Sequence, residues 1–427
     1  MRRTRRAAIA AVALVVTTVG LAGCGRPADT GAAPGAQSTA VASGAASGTL
    51  TVWAMGAEGE ALPQLTSKFE ADNPGVKVNV TAVPWSSAYD KFKAAIAANQ
   101  VPDLAQVGTT WMGEFVAAGA LDATPSNIDG GSFFKGAQET TVVDGTSYAV
   151  PWYVETRLVY YRTDIAQQAG VTTPPTDWDG LKAMAKAMKE KGGAEWGISL
   201  QPGQQGSWQT VLPFVWSNGG EVASSDGKAW TWDDPKNAEA LAYYQSFFTE
   251  GLANKAPAEG TTEADFVSGK VPMFISGPWM MAAVEKAGGG DAFKDKYDVM
   301  VMPKKVTNTS FIGGSNLAVF KGTQNRDAAW KLAEFLTREQ TQLEWYKLTT
   351  DLPSVQSAWD DASLTGDSKL AKFGTQLETA KAPPSIPTWE QVSAKFDAQV
   401  EQVTKTGADP AAALKTVQAE ATSIGMG

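Results

Sequence analysis

Short strand-like segments alternate with helical patterns near the start of the chain, and this alternation restricts the fold more than any other feature. Residues 49–53, 76–80 and 102–107 have the composition of strands. Between them, residues 62–69 and 89–96 carry apolar side chains three or four positions apart, the spacing of a helix that packs on a core. This order predicts an α/β fold with a parallel sheet that is covered by helices on both faces.

The rest of the chain continues the same theme. Helical spacing recurs at 178–189, 236–248 and 327–336, and Gly192-Gly193 marks the end of the first of these helices. The absence of a short-period repeat excludes solenoids and propellers. About 380 globular residues exceed what a single core supports, so we expect two domains. Ligands of such folds bind beyond the carboxyl ends of the strands, which directs attention to the loops there.

The first 48 residues have the organisation of a targeting segment and a linker. Six residues containing four arginines precede an uncharged stretch, residues 7–19, which is shorter than the about 20 residues of a membrane-spanning helix. Leu21-Ala22-Gly23-Cys24 resembles the bacterial lipobox. We therefore predict a signal peptide over 1–23, lipidation at Cys24, a flexible stalk over 24–48, and a location on the outer face of the cell membrane. Both the general and the twin-arginine export routes remain open.

Two residue counts exclude much chemistry. The chain has no histidine and a single cysteine, so histidine-dependent triads, histidine-ligated metals and internal disulfides are excluded. Without residues 1–23, 32 basic and 45 acidic side chains leave a net charge of −13, which disfavours nucleic acid as a partner. We expect no cofactor and no metal.

Four segments, taken together, resemble the extracellular solute-binding proteins of ABC importers, in the branch of the maltose-binding proteins and the actinobacterial oligosaccharide-binding lipoproteins. They are Pro102-Asp103-Leu104 with Trp111 and Phe115, Tyr148–Asp164, Phe266–Met273 with Gly277-Pro278-Trp279, and Gly313–Val319. Pro384, Pro387 and Trp389 resemble a further segment of the ligand cleft. The likeness extends over nearly all of residues 49–427.

The resemblance implies a two-lobed periplasmic-binding-protein fold of type II, with the ligand between the lobes. Residues 49–153 with 308–353 would form the first lobe, and residues 154–307 with 354–427 the second. Closure of the lobes would desolvate a captured di- or oligosaccharide. The implied partners of this monomer are that sugar and the permease subunits of the importer.

The chain contains fifteen tryptophans, whose rings either stack on the apolar faces of sugar rings or pack in an ordinary hydrophobic core. Tryptophans in predicted loops are candidate sugar platforms, with core packing as the alternative: Trp111, Trp152, Trp208, Trp279 and Trp389. By contrast, Trp330 and Trp345 have helical spacing, which indicates core positions.

Polar candidates lie beside these tryptophans, because sugar hydroxyls both donate and accept hydrogen bonds. Glu155 and Arg157 are two apart, so both point to one face of an extended chain, where they either bind a hydroxyl or form a structural ion pair. The remaining candidates are Glu58, Thr110, Tyr153, Gly314, Ser315 and Asn316. For Glu58 the alternative is a solvated loop acid, and for the last three it is a plain strand entry.

Other functions remain compatible with the residues. A lipid-anchored glycosidase needs only two carboxylates about 5 to 10 Å apart, and Glu58 and Glu155 are conceivable partners. However, neither lies in a catalytic motif. A binding protein for another solute, such as a peptide or a polyamine, is the third interpretation. The identity of the sugar is open between β-linked disaccharides of the chitobiose type and α-glucosides.

Overall fold

A computed structural model describes residues 39–128 and 132–427. The predicted signal peptide, Cys24 and residues 25–38 of the predicted stalk lie outside the described residues. The end of that stalk is attached to the domain: the amide of Val41 donates to Asn127 Oδ1 over 2.9 Å, the amide of Ala46 donates to Asn73 Oδ1 over 2.9 Å, and the first strand already begins at Ser47.

The described residues form twelve strands. They are β1 (Ser47–Met55), β2 (Gly75–Val83), β3 (Leu104–Gly108), β4 (Val142–Val143), β5 (Thr146–Ser147), β6 (Val150–Thr156), β7 (Leu158–Arg162), β8 (Met273–Ser276), β9 (Tyr297–Met300), β10 (Ser310–Val319), β11 (Leu352–Pro353) and β12 (Ala380–Lys381).

The α-helices in the same part of the chain are α1 (Gly56–Ala61), α2 (Pro63–Asp72), α3 (Trp85–Ala97), α4 (Met112–Ala117), α5 (Lys135–Glu139), α6 (Thr163–Gln168), α7 (Trp178–Glu190), α8 (Trp208–Ser217), α9 (Pro235–Thr249), α10 (Thr262–Val267), α11 (Trp279–Ala287), α12 (Arg326–Leu336), α13 (Glu339–Thr349), α14 (Ala362–Thr365), α15 (Ser368–Leu377), α16 (Trp389–Glu401) and α17 (Pro410–Ile424). Short 3-10 helices cover Thr109–Trp111, Asp291–Lys296 and Gln356–Asp360, and a π-helix, Gln402–Thr406, follows α16.

The larger sheet has the strand order β11-β6-β10-β3-β1-β2, with β12 also paired to β10. Strand β1 runs parallel to β2 and β3, as the strand–helix alternation predicts, whereas β10 is antiparallel to β3 and β6. The sheet is therefore mixed. Strand β12 belongs to it although the sequence places residues 354–427 in the second lobe.

Alternating residues of β1 show why this sheet is covered on both faces. Leu50, Val52 and Ala54 are fully buried against α2 and α12 on one side. Trp53 and Met55 pack on the other side with Phe92 of α3. From Val52 to Met55 both faces of the strand are apolar, which is the pattern of a sheet enclosed between two helical layers.

A smaller sheet has β7 at its centre, antiparallel to β8 and β9. The chain passes from the larger to the smaller sheet at Arg157, which separates β6 from β7. Helices α7, α9 and α12 confirm the helices predicted at 178–189, 236–248 and 327–336, and Asp177 and Asp234 cap the first two by accepting backbone N–H groups. No helix among the described residues is long and apolar enough to cross a membrane.

Candidate functional site

A cavity of about 480 Å³ lies where the carboxyl ends of the central strands meet helices from the second half of the chain. Its lining consists of Ala57, Glu58, Trp85, Gly108, Thr109, Thr110, Trp111, Tyr153, Val154, Glu155, Trp208, Gln209, Pro278, Trp279, Phe311, Gly313, Gly314, Thr349, Thr350, Asp351 and Leu352. A larger groove of about 850 Å³ is lined by Gly113, Val116, Ala117 and residues 142–145, 223–228 and 382–387 among others, and none of its lining side chains is aromatic. The 480 Å³ cavity is hereafter called the cleft.

The tryptophans of the cleft stand at the beginnings of helices rather than in loops. Trp85, Trp208 and Trp279 are the first residues of α3, α8 and α11, and Trp111 ends the 3-10 turn after β3. Trp85 and Trp279 are 41% and 42% exposed, which is unusual for such large apolar side chains. Exposed indoles that face a cavity are platforms ready to bind a flat apolar surface.

Glu58 is held in the cleft by two neighbouring side chains. It lies in the first turn of α1, directly after β1. The hydroxyl of Tyr153 donates to its Oε1 over 2.8 Å, and the indole N–H of Trp85 approaches Oε2 at 3.4 Å. Tyr153 is itself buried, and this burial raises its pKa well above its usual range, so it remains a neutral donor. Glu58 therefore presents a carboxylate of defined orientation.

Behind Tyr153 lies a buried polar network. Gln106 accepts the amide N–H of Met55 over 2.7 Å and donates to Ser315 Oγ over 3.1 Å. The Ser315 hydroxyl lies 3.2 Å from the hydroxyl of Tyr153, and Asn316 hydrogen-bonds to Thr140 instead of facing the cavity. Ser315 and Asn316 are at most 1% exposed. Ser315 and Asn316 were predicted to contact the ligand, and the structure corrects this prediction. Both residues lie behind the wall of the cleft, because their hydrogen-bonding groups are used within the sheet.

Gly314 lines the cleft where β10 departs from regular pairing with β6. Its φ is +118°, and a Cβ there would overlap the carbonyl oxygen of Tyr153. The register of the two strands shifts between Ser315 and Asn316, as at a β-bulge. Only glycine suits this backbone conformation and this close approach.

Arg157 joins the two halves of the cleft wall. Its guanidinium donates to Gln209 of α8 over 2.9 Å, lies 3.2 Å from Glu155 Oε2, and stacks 4.8 Å from the ring centre of Trp279. Burial raises the pKa of Glu155 despite this neighbouring cation. Two atoms of the pair, Glu155 Oε2 and Arg157 Nε, are buried without a hydrogen-bond partner in the described structure, so the hydrogen-bonding capacity of the pair is not fully used.

Asp351 is a cleft residue that sequence reasoning missed. It follows Thr350, whose left-handed φ of +66° ends α13, and its Oδ2 accepts the indole N–H of Trp345 over 3.1 Å. Burial, and then the charge of Glu58, raise its pKa to about 7. The polar run Thr349-Thr350-Asp351 after a helix was the available signal in the sequence.

The family of the chain follows from comparison with known proteins. A model of the bacterial extracellular solute-binding proteins matches residues 31–343, well over half of the chain. The chain belongs to this family. The diacetylchitobiose binding protein DasA of Streptomyces coelicolor is 28% identical, over 97% of this chain and 98% of that protein. The maltotriose-binding protein of Pyrococcus abyssi is 25% identical, over 88% and 82% of the two chains.

The fold of this solute-binding protein is also that of solved relatives. The sugar-binding protein MalE of Xanthomonas citri superposes with a TM-score of 0.82 at 30% identity, over 88% of this chain and 97% of that one. The two-lobed α/β fold predicted from the sequence is thereby confirmed.

Two predicted platforms are absent from the cleft of this solute-binding protein. Trp152 is fully buried and stacks on Trp345 at 4.6 Å, and Trp389 is fully buried against Trp208 and Trp232. Both predictions are wrong because these indoles point into the core. Their neighbours Trp330 and Trp345 are core residues, as helical spacing indicated.

The other predicted residues lie at the cleft. Glu58, Thr110, Trp111, Tyr153, Glu155, Trp208, Trp279 and Gly314 line it, and Arg157 lies against its wall. Sequence reasoning missed Trp85, Gln209, Phe311 and Asp351. The Pro84-Trp85 pair between a strand and a helix would have been the signal for Trp85. Among the described residues, no three histidine, cysteine or acidic side chains are grouped as metal ligands would be.

Proposed function

We propose that this solute-binding protein captures a neutral di- or oligosaccharide in the cleft and delivers it to the permease of an ABC importer. The observation that carries this proposal is the pairing of exposed indoles with oriented carboxylates in one cavity. Trp85 and Trp279 each expose about two fifths of their surface there, beside Glu58 and Asp351.

The chemistry of a pyranose matches these two kinds of group. Its C–H faces are apolar and stack on indoles, whereas its hydroxyls donate to carboxylates and accept from guanidinium or hydroxyl groups. Glu58 and Asp351 supply acceptors, and the side-chain NH₂ group of Gln209, which also lines the cleft, supplies a donor. Because a sugar presents several hydroxyls, it engages many of these groups at once.

Two groups of aromatic rings support a ligand with at least two sugar rings. Trp85 and Trp111 lie edge to face with centroids 6.1 Å apart. The other half of the wall contains Trp279, which is 42% exposed, and Trp208, which is 5% exposed and lies 5.3 Å from Phe311. Each group offers a platform for one ring. A volume of about 480 Å³ lies within the usual range of about 300–1,000 Å³ for ligand pockets.

The carboxylates of the cleft are arranged for binding rather than for glycoside hydrolysis. Glu155 is engaged with Arg157, and Glu58 is held by Tyr153 and Trp85. Incubation with labelled oligosaccharides should leave them intact. Turnover by the purified protein, lost in a Glu58→Gln variant, would contradict a binding role.

The proposal extends to a lipid anchor at Cys24 and to a monomeric protein outside the cell. Two acyl chains on this cysteine would hold the domain at the membrane, because each buried methylene contributes about 0.8 kcal/mol. Expression in a bacterial host with a radiolabelled fatty acid should label the wild type. The Cys24→Ser variant should be unlabelled and released, and equal labelling of both would refute the anchor.

A thermal-shift panel followed by calorimetry tests the sugar ligand. The panel contains diacetylchitobiose, maltotriose, cellobiose and galactobiose. A ligand at 100 times its Kd adds about 2.7 kcal/mol to the free energy of unfolding, so a true ligand raises Tm clearly. If no member shifts Tm while a peptide or polyamine set does, the sugar proposal fails.

A further inference from the structure

The first turn of α8 is bound by a carboxylate from a helix nearly 200 positions further along the chain. Asp397, on α16, accepts the amide N–H of Gly206 over 2.7 Å, the hydroxyl of Ser207 over 2.7 Å and the amide N–H of Trp208 over 2.8 Å. Asp397 is 5% exposed. A buried carboxylate with three donors at a helix N-terminus is a strongly oriented contact.

No side chain from the residues next to the start of α8 caps this helix. Ser207 occupies the N-cap position but has helical φ and ψ and makes no capping hydrogen bond. Its hydroxyl instead donates to Asp397. Of the N–H groups in the first turn of α8, that of Trp208 is therefore satisfied from α16, whereas those of Gln209 and Thr210 donate to the carbonyls of Gly206 and Ser207.

The loop before α8 is attached to the same support. The hydroxyl of Thr404 in the π-helix donates to the carbonyl of Pro202 over 2.7 Å. Gly203 packs so closely on Glu401 that a Cβ would overlap that side chain. Gln245 of α9 in turn donates to the carbonyl of Val403 over 3.0 Å. Residues 202–203 and 206–208 are therefore held to the second half of α16 and to the π-helix that follows it.

The contacts between α16 and the start of α8 affect the cleft through two consecutive side chains of α8, Trp208 and Gln209. Trp208 packs edge to face on Trp389, the first residue of α16, and on Phe311, both at 5.3 Å. Gln209 accepts from Arg157, which stacks on Trp279. A rotation of the first turn of α8 would therefore move two residues of the cleft wall: Trp208, and Gln209, which is the hydrogen-bond partner of Arg157.

We propose that Asp397 is a positioning residue for ligand binding: it fixes Trp208 as a platform and, through Gln209, the orientation of Arg157. The inference rests on the proposed function, because it assumes that Trp208 contacts the ligand. Asp397 itself does not line the cleft.

Asp397→Asn is the informative substitution, because asparagine has the same shape but its NH₂ group faces backbone donors. The matched control is Asp234→Asn, which weakens the cap of α9, where Asp234 accepts the amide of Lys236 over 2.8 Å. Ser207→Ala is a milder variant that removes one of the three bonds to Asp397. Both Asp→Asn variants should lower Tm, but only the first should alter the cleft.

A ligand-free measurement tests the geometry. With 5-fluorotryptophan in place of the fifteen tryptophans, Trp208→Phe identifies the ¹⁹F resonance of Trp208. Asp397→Asn should shift and broaden this resonance, and Ser207→Ala should shift it less. Asp234→Asn should leave it unchanged. An unchanged Trp208 resonance in folded Asp397→Asn protein would overturn the proposal even if no sugar ligand were found.

A double-mutant cycle tests the effect on binding, with diacetylchitobiose as the probe, or maltotriose if diacetylchitobiose does not raise Tm. Asp397→Asn and Trp208→Ala should each weaken binding about 10-fold or more, and the double variant should be little weaker than Trp208→Ala alone. If the factors by which the two single substitutions raise Kd simply multiply in the double variant, the positioning role of Asp397 is overturned. If Trp208→Ala leaves Kd unchanged, the proposed role of the platform fails instead. If only Trp208→Ala weakens binding, the platform stands and the role of Asp397 fails.

Discussion

Tyr153 donates a 2.8 Å hydrogen bond to Glu58, and this bond joins two parts of the chain that are 95 positions apart. Tyr153 lies on β6, whereas Glu58 lies in the helical turn after β1. The same hydroxyl lies 3.2 Å from Ser315 on β10. Three strands of the larger sheet therefore determine the orientation of one cleft carboxylate.

We expect Tyr153→Phe to weaken sugar binding about 10-fold, because Glu58 loses its fixed orientation. The variant also leaves Ser315 and Gln106 with fewer partners, at a cost of about 1–3 kcal/mol in the free energy of unfolding. Tyr243→Phe is the matched control, because it removes a part-buried 2.6 Å hydrogen bond to the carbonyl of Trp178, away from the cleft. Calorimetry and denaturant unfolding measure both effects. Equal affinities for the two variants would contradict this role of Tyr153.

The exposed indoles should contribute strongly to affinity. Trp85→Ala and Trp279→Ala should each raise Kd about 10- to 100-fold, or about 1.4–2.8 kcal/mol. Each should lower Tm less than truncation of a core tryptophan would, because about two fifths of each side chain is exposed. Trp196→Ala, outside the cleft and beside Lys189, is the control that should keep the wild-type Kd. A Kd unchanged by both cleft substitutions would exclude these platforms.

Asp351 should make stability depend on pH. Its pKa, raised to about 7, lies above the value of about 3.9 in the unfolded chain. The folded state therefore binds more protons between these values, and this residue lowers the free energy of unfolding as pH rises from about 4 to about 7. Asp351→Asn should thus gain stability relative to wild type by about 1–2 kcal/mol between pH 5 and pH 8.

Urea unfolding across this pH range measures the difference, with the exposed Asp72→Asn as the control. A constant difference between Asp351→Asn and wild type at all pH values would show that Asp351 ionises normally.

The cleft should reject acidic sugars. Glu58, Glu155 and Asp351 line it, and Arg157 is already bound to Glu155 and Gln209. A uronic-acid analogue would place a further anion among these carboxylates. Calorimetry should show that it binds at least about 10-fold more weakly than the matched neutral sugar, and that Asp351→Asn reduces this ratio. Tighter binding of the acidic analogue than of the neutral sugar would contradict the proposal that the ligand is neutral.

Gly314→Ala should disrupt the cleft wall. A Cβ at this φ of +118° overlaps the carbonyl of Tyr153, so we expect a loss of about 3 kcal/mol or more of stability. Gly145→Ala is the matched control, since Gly145 also has positive φ, +76°, but has open space around its Cβ position. It should cost only about 1 kcal/mol. Similar losses in both variants would show that overlap is unimportant at 314.

Local patterns were sufficient to predict the elements of this protein. Apolar spacing located α7, α9 and α12, because a helix on a core must repeat its apolar face every three to four residues. The same patterns could not assign the tryptophans. Trp152 and Tyr153 are adjacent on β6, yet the first packs on Trp345 in the core while the second reaches Glu58. Alternation along a strand separates the two faces but does not say which face meets the cleft.

The sequence by itself determined the class of fold, the absence of histidine and disulfide chemistry, and several of the segments that build the cleft, because these depend on composition and on order along the chain. Only the tertiary structure decided which side chains meet there. Asp351 comes beside Glu58, and Asp397 comes beneath Trp208, through packing between distant elements. Such contacts are set by the three-dimensional arrangement of sheets and helices, which no local spacing encodes.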